Sequence, residues 1–175
     1  MQFGTLTFKP ASGAPELLAA PTKHAVAALG SKDIWVSEID PALADTAAFC
    51  ANYAIGMEVS ANCVVVEATR ANKTWYAACL ILATDKADIN GAIRGALDAR
   101  KVSFAPMDTA LRRTSMEYGG ITPLGLPADW PIFIDTNVAK QEKIIIGSGI
   151  RGSKILITPP VLATLPNAKV MDIAK

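Results

Sequence analysis

Histidine is almost absent: the 175-residue chain has one, His24. A Ser-His-Asp or Cys-His catalytic arrangement could use no other residue. His24 lies in APTKHAVAALG, which reads as a helix stopping at Gly30, where a lone histidine is an ordinary surface or satisfied residue. Paired cysteines are absent too. Cys50, Cys63 and Cys79 are odd in number, widely spaced and form no CxxC pair. With one histidine and no close-spaced ligand pairs, a structural zinc site is excluded and no metal or other cofactor is expected. The cysteines read as small buried hydrophobes in a reducing compartment. Charge is sparse: 19% of residues are charged and the formal net charge is +1. That excludes a strongly basic protein that holds nucleic acid by charge alone. Long hydrophobic runs are lacking as well. The longest, Trp75–Ala83, is far short of the roughly 20 residues that cross a bilayer. The start, MQFGTLTFKPASGAPELL, has no basic head followed by an apolar run, so no secretory signal is read. The expectation is a soluble cytoplasmic protein with no membrane partner.

What is present is an apolar, ordered chain. Apolar residues make up 51%, which excludes disorder, collagen-like repeats and a disulfide scaffold. The length predicts a single domain over residues 1–175. There is no internal repeat or linker. Residues 1–30 read as an N-terminal helical segment, with a helix over Pro15–Leu29 broken near Pro21. Strands are expected at Ile34–Ile39 and Ala61–Ala68, the second turning at Thr69–Lys73 into Trp75–Ala83. Helices are expected at Ala42–Tyr53, at Asp88–Arg100 with Asp88 as N-cap, and at Met107–Ser115. Lys101–Ala105 reads as a short strand. Late strands at Pro131–Asp135, Lys143–Gly147, Lys154–Thr158 and Ala168–Ile173, around a small helix at Pro160–Leu165, predict hairpin pairing. The class is therefore α/β with an α+β character: a mixed, largely antiparallel curved sheet surrounded by helices.

Four stretches can carry chemistry. Tyr118-Gly119-Gly120-Ile121-Thr122-Pro123-Leu124-Gly125-Leu126-Pro127 cannot be a helix or a central strand. It is either a tight connection or a stiff loop presenting bare backbone groups to a polar ligand or a water. Ile132-Phe133-Ile134-Asp135 puts a carboxylate at a strand end, a common binding position, but Asp135 before Thr136-Asn137 equally suits a helix cap. Ile146-Gly147-Ser148-Gly149-Ile150-Arg151-Gly152 lacks GxGxxG spacing and does not read as a dinucleotide fingerprint. A Gly-Ser-Gly turn can still hold a carboxyl, ribose or phosphate group. Finally, Lys140, Lys143, Arg151 and Lys154 face Glu142 alone, a basic cluster that is either a solvated face or a phosphate contact surface.

These residues resemble the YbaK/EbsC family, the prolyl-tRNA synthetase associated or insertion domain family of aminoacyl-tRNA editing modules. Gly119-Gly120-Ile121-Thr122-Pro123-Leu124-Gly125 matches the family's GxxxP loop, Pro131–Asp135 its strand ending in Asp, and Gly147–Gly152 its later glycine turn. The resemblance spans roughly residues 30–173. It implies metal-independent hydrolysis of the ester joining a wrong amino acid to the tRNA 3′ adenosine, with the loop backbone positioning substrate and water and the substrate's ribose hydroxyl helping to activate that water. It implies aminoacyl-tRNA as partner, through its 3′ end, together with an aminoacyl-tRNA synthetase, and action in trans. On this basis Asn62, Gly119, Gly120 and Asp135 are the expected catalytic residues, Asp135 orienting the substrate's amino group or a water. Ile121, Thr122, Pro123, Gly147, Ser148, Gly149 and Arg151 are the expected substrate-binding residues. One position departs from the family. Asn62, in Ala61-Asn62-Cys63-Val64, stands where the family has lysine, and Asn lacks that charge and reach. Lys73 and Lys23 are candidates for a relocated cation. The departure leaves two other readings open: a non-catalytic binding module for a small ligand or protein on the same fold, and a cysteine enzyme using Cys63.

Overall fold

The computed structural model describes residues 1–175. Ten-residue strands β5 (Ala61–Arg70) and β6 (Lys73–Leu82) form its longest hairpin. Both are rich in β-branched or small residues, and the tip is a two-residue turn with Ala71 at positive φ. β7 (Lys101–Phe104) pairs antiparallel with β5. On the other side β8 (Ile132–Asp135) runs parallel to β6, and β11 (Ala168–Met171) parallel to β8. The result is a five-stranded mixed sheet, β11-β8-β6-β5-β7.

A four-stranded antiparallel sheet lies beside it in the order β3-β4-β10-β9, from β3 (Lys9–Pro10), β4 (Ile34–Glu38), β9 (Ile144–Gly147) and β10 (Ser153–Ile157). A single parallel bridge, Ser60 to Ile145, links the two sheets. Helices α1 (Ala20–Leu29), α2 (Thr46–Tyr53), α4 (Met107–Thr114), α5 (Thr136–Ala139) and α6 (Pro159–Ala163) flank them. A further turn, α3 (Arg94–Ala96), continues a π-helical turn at Ile89–Ile93. Asp88 caps that turn as expected, accepting from the amides of Gly91 and Ala92. The largest core cluster packs Ile144, Ile146, Ile155 and Ile157 against Leu80, Leu82 and Ile134. No helix is long and apolar enough to cross a membrane.

The mixed, largely antiparallel architecture is the one expected. Two details differ. The N-terminal segment is not wholly helical: β1 (Gln2–Phe3), β2 (Leu6–Thr7) and β3 precede the 3-10 turns and α1. Two-residue strands are too short to leave an alternation in sequence. The late strands do not all pair as hairpins. β9 and β10 do, but β8 and β11 are joined by long connections and lie parallel.

Candidate functional site

The two glycine-rich segments meet. The amide of Gly149 donates to the carbonyl of Gly120 at 2.7 Å, and the amide of Glu117 donates to the carbonyl of Gly149 at 2.9 Å. A Cβ on Gly147 would fall 2.5 Å from the Gly120 oxygen and 2.6 Å from the Ile121 oxygen. One on Gly120 would fall 2.8 Å from the Ile150 carbonyl. Glycine is required here by close backbone approach, not by an unusual φ. The packed turns form one wall of a cleft of about 340 Å³. β5 residues Ala61, Asn62 and Cys63 and α2 residues Thr46 and Phe49 supply another.

Of the expected site residues, Asn62, Gly119, Ile121, Gly147 and Arg151 line this cleft. The hydroxyl of Thr46 donates to the Asn62 side-chain oxygen at 2.8 Å, which directs the amide NH2 elsewhere. Arg151 ties the mouth together. Its guanidinium donates to the carbonyls of Tyr118 at 2.9 Å and Pro41 at 3.0 Å and lies 5.7 Å from the Tyr118 ring centre.

The others lie behind the cleft wall or away from it. Asp135 is a cap: buried, its carboxylate accepts from the backbone amides of Asn137, Ile173 and Ala174 at 2.9–3.1 Å. Of the two roles its sequence allowed, the local one is occupied, and the carboxylate faces the chain's C-terminal segment. Ser148 is fully buried, and its hydroxyl bonds to the carbonyls of Ile150 and Ser153 and the Ser153 hydroxyl. Thr122 and Pro123 are buried, and the Thr122 amide faces the Met116 sulfur. Gly120 and Gly149 serve as the backbone contact between the turns rather than as lining.

Lys154 is the residue whose setting the sequence misread. It belongs to the basic cluster, yet it is 7% exposed and lines the cleft. β10 is paired on both edges, and all five of its residues are buried, so both its faces are covered. Alternation puts Ser153, Ile155 and Ile157 on one face and Lys154 with Leu156 on the other, toward Phe49 and Cys50. The ammonium donates to the Ala44 carbonyl at 3.0 Å, sits 5.3 Å from the Phe49 ring centre, and has no carboxylate within ion-pair distance. Burial pushes its pKa down to about 8, the charge of Arg151 adding to the effect and Cys50 and Asp45 opposing it. Lys73 and Lys23, the candidates for a relocated cation, are exposed and outside the cleft. Asp45, not singled out by any motif, is the one carboxylate among the lining residues.

The lowered Lys154 value has a consequence for stability. Its folded-state pKa lies below the ordinary value of 10.5, so between about pH 8 and pH 10.5 the unfolded chain binds more protons. Stability from this group therefore rises with pH in that window. Two thiols, of half-buried Cys63 and buried Cys79, work in the opposite sense: desolvation pushes Cys63 up, and Cys79 up to about 12, so the unfolded chain loses their protons first, from about pH 9. Comparison with Lys154→Met removes the thiols, common to both proteins. In urea unfolding, the stability deficit of the wild type relative to that variant should shrink by about 1 kcal/mol between pH 8 and pH 9. A constant deficit would show that Lys154 is not a buried ammonium. The upward shift of the half-buried Cys63 works against the thiolate a cysteine nucleophile would need at neutral pH.

Residues 40–165 match the model of the aminoacyl-tRNA editing domain. The chain belongs to this family. A relative from Bacillus subtilis (strain 168), the uncharacterized protein YwhH, is 28% identical over 97 residues, 55% of this chain and 62% of that protein. The chain thus aligns with less than two thirds of that relative's length. Among solved structures, one described as a "putative trans-editing enzyme for prolyl tRNA synthetase" superposes with a TM-score of 0.76 at 16% identity, covering 90% of this chain and 96% of its own. A hypothetical protein superposes with a TM-score of 0.79 at 17% identity, covering 89% and 99%. At these identities the structures show the shared fold, and the family rests on the match over residues 40–165.

Proposed function

We propose that this editing-domain protein is an aminoacyl-tRNA deacylase, hydrolysing in trans the ester of a tRNA that carries a wrong amino acid. The observation that carries the reading is the cleft itself. In a member of the editing family, both glycine turns, Asn62, Arg151 and a buried cation border one space. About 340 Å³ accommodates a small aminoacyl group and part of the terminal ribose. In this reading Asn62 offers its NH2 to the substrate, and Gly119, Ile121 and Gly147 shape the wall that holds ester and water. Arg151 and Tyr118 hold the mouth where the 3′ nucleotide enters. Asp45 takes the role first expected of Asp135, receiving the α-amino group. The chemistry uses positioning and backbone dipoles, which can supply much of the barrier reduction for ester hydrolysis.

The test is a deacylation panel. Purified protein is mixed with tRNAs charged with cysteine, alanine and serine where those amino acids do not belong, and release of free amino acid is followed. The expected result is accelerated release from at least one member, reduced about tenfold or more by Asn62→Ala. Retention of ligand with no release from any charged tRNA would overturn the deacylase and favour the binding module, the reading that the missing family lysine keeps in play.

A further inference from the structure

We infer that Lys154 is the oxyanion-stabilising residue of the cleft, its ammonium receiving the acyl carbonyl oxygen of the bound ester as that oxygen becomes negative. The inference rests on the deacylase reading and adds to it the residue that carries charge in the reaction.

Buried lysines are ordinarily paired with a carboxylate, because an unpaired buried charge is costly. Lys154 has none. Its one hydrogen bond, to the Ala44 carbonyl, leaves two of the three ammonium donors uncommitted. The side chain lies in the wall of the cleft, with Phe49 beneath it and Asn62 and Gly147 among the other lining residues. A fixed positive charge with free donors, held in the cleft wall at 7% exposure, suits an atom that acquires negative charge only in the transition state. The same charge repels the substrate's α-ammonium and so favours its placement toward Asp45. The ester then lies with its carbonyl oxygen at Lys154. Position supports the assignment too. β10 supplies a cation to the cleft that β5, carrying Asn62, does not.

The step balances as follows. Water adds to the ester carbonyl carbon, and the carbonyl π pair moves to oxygen, forming the oxyanion held by Lys154. The pair then returns to re-form the carbonyl and the bond to the ribose oxygen breaks. That oxygen takes up the proton released by the water, giving free amino acid and deacylated tRNA.

The experiment measures steady-state deacylation by wild type, Lys154→Met and Lys154→Gln on the charged tRNA that the wild type hydrolyses, together with thermal unfolding. Lys154→Met should lose about 100-fold in kcat with little change in KM, as loss of an oxyanion donor does. Its Tm should rise, by roughly 3 °C, because a buried unpaired charge is removed. Lower activity in a more stable protein is an outcome that a purely structural role does not produce. The pH arm needs no variant. The wild-type kcat/KM should fall as the ammonium loses its proton above about pH 8, a step set against the facing charges of Arg151 and Asp45 and the Cys50 thiol. If wild type is active and both folded variants keep kcat within threefold, the assignment of Lys154 fails while the deacylase reading stands. An unchanged wild-type profile through pH 8–9 also overturns it. If wild type releases no amino acid from any charged tRNA, the deacylase reading fails and takes this inference with it.

Discussion

Asp135→Ala should destabilise the protein by about 3–5 kcal/mol in urea unfolding while leaving the deacylation rate per folded molecule within about twofold of wild type. The carboxylate accepts three backbone hydrogen bonds, and each bond to a charged acceptor is worth roughly 1.5–3 kcal/mol. The Ile173 bond is buried and takes that value, while the other two are part-buried and count for about 1 kcal/mol each, which gives the total above. The mechanism is specific. Asp135 ends β8, caps α5 through Asn137 and grips the chain just beyond β11 through Ile173 and Ala174. Without it the β8–β11 parallel pair loses its end anchor. Asp135→Asn should be milder, since an amide oxygen can still accept. A folded Asp135→Ala protein with abolished turnover and near-wild-type stability would show instead that this carboxylate reaches the substrate.

The second large effect is expected at Gly147. Gly147→Ala places a methyl 2.5 Å from the Gly120 oxygen and 2.6 Å from the Ile121 oxygen, both backbone atoms with no flexible chain to swing aside. The two turns must separate, at a cost of about 1–3 kcal/mol for overpacking. Because the same turns wall the cleft, deacylation should fall more than tenfold even in the folded fraction. Gly95→Ala is the control. It has no atom within 4 Å of an added Cβ and lies in the short helix α3, where alanine is the better helix former. If Gly147→Ala unfolds at the wild-type urea concentration and turns over normally, the turn-to-turn contact does not shape the site.

Much of this molecule is legible in its local sequence. The β-branched run of β5 and the isoleucine-rich β9 and β10 announce strands because little else suits such side chains. Asp88 before Ile89-Asn90-Gly91 announces a cap. The two glycine segments were recognisable as special loops, and their order was enough to suggest the editing family, which the match over residues 40–165 bears out.

The side chains at the site were less legible. Asp135 at a strand end suits a ligand contact or a cap, and its bonds to Ile173 and Ala174, 38 and 39 residues away, leave no local trace in the sequence. Lys154 in a run of basic residues reads as part of a solvated face or of a phosphate contact surface, exposed in either case. Its burial depends on the Ala44 and Phe49 segment packing over its face of β10, a meeting of distant parts of the chain that no local pattern encodes. Asp45 and Thr46 carry no motif, and they border the cleft because α2 starts across from Asn62. Which segments extend, coil and turn, and through them the family, follows from short-range sterics and side-chain branching. Tertiary structure decided which polar groups face the cleft and which serve the scaffold, since a charge's surroundings are set by strands and helices that meet from distant parts of the chain.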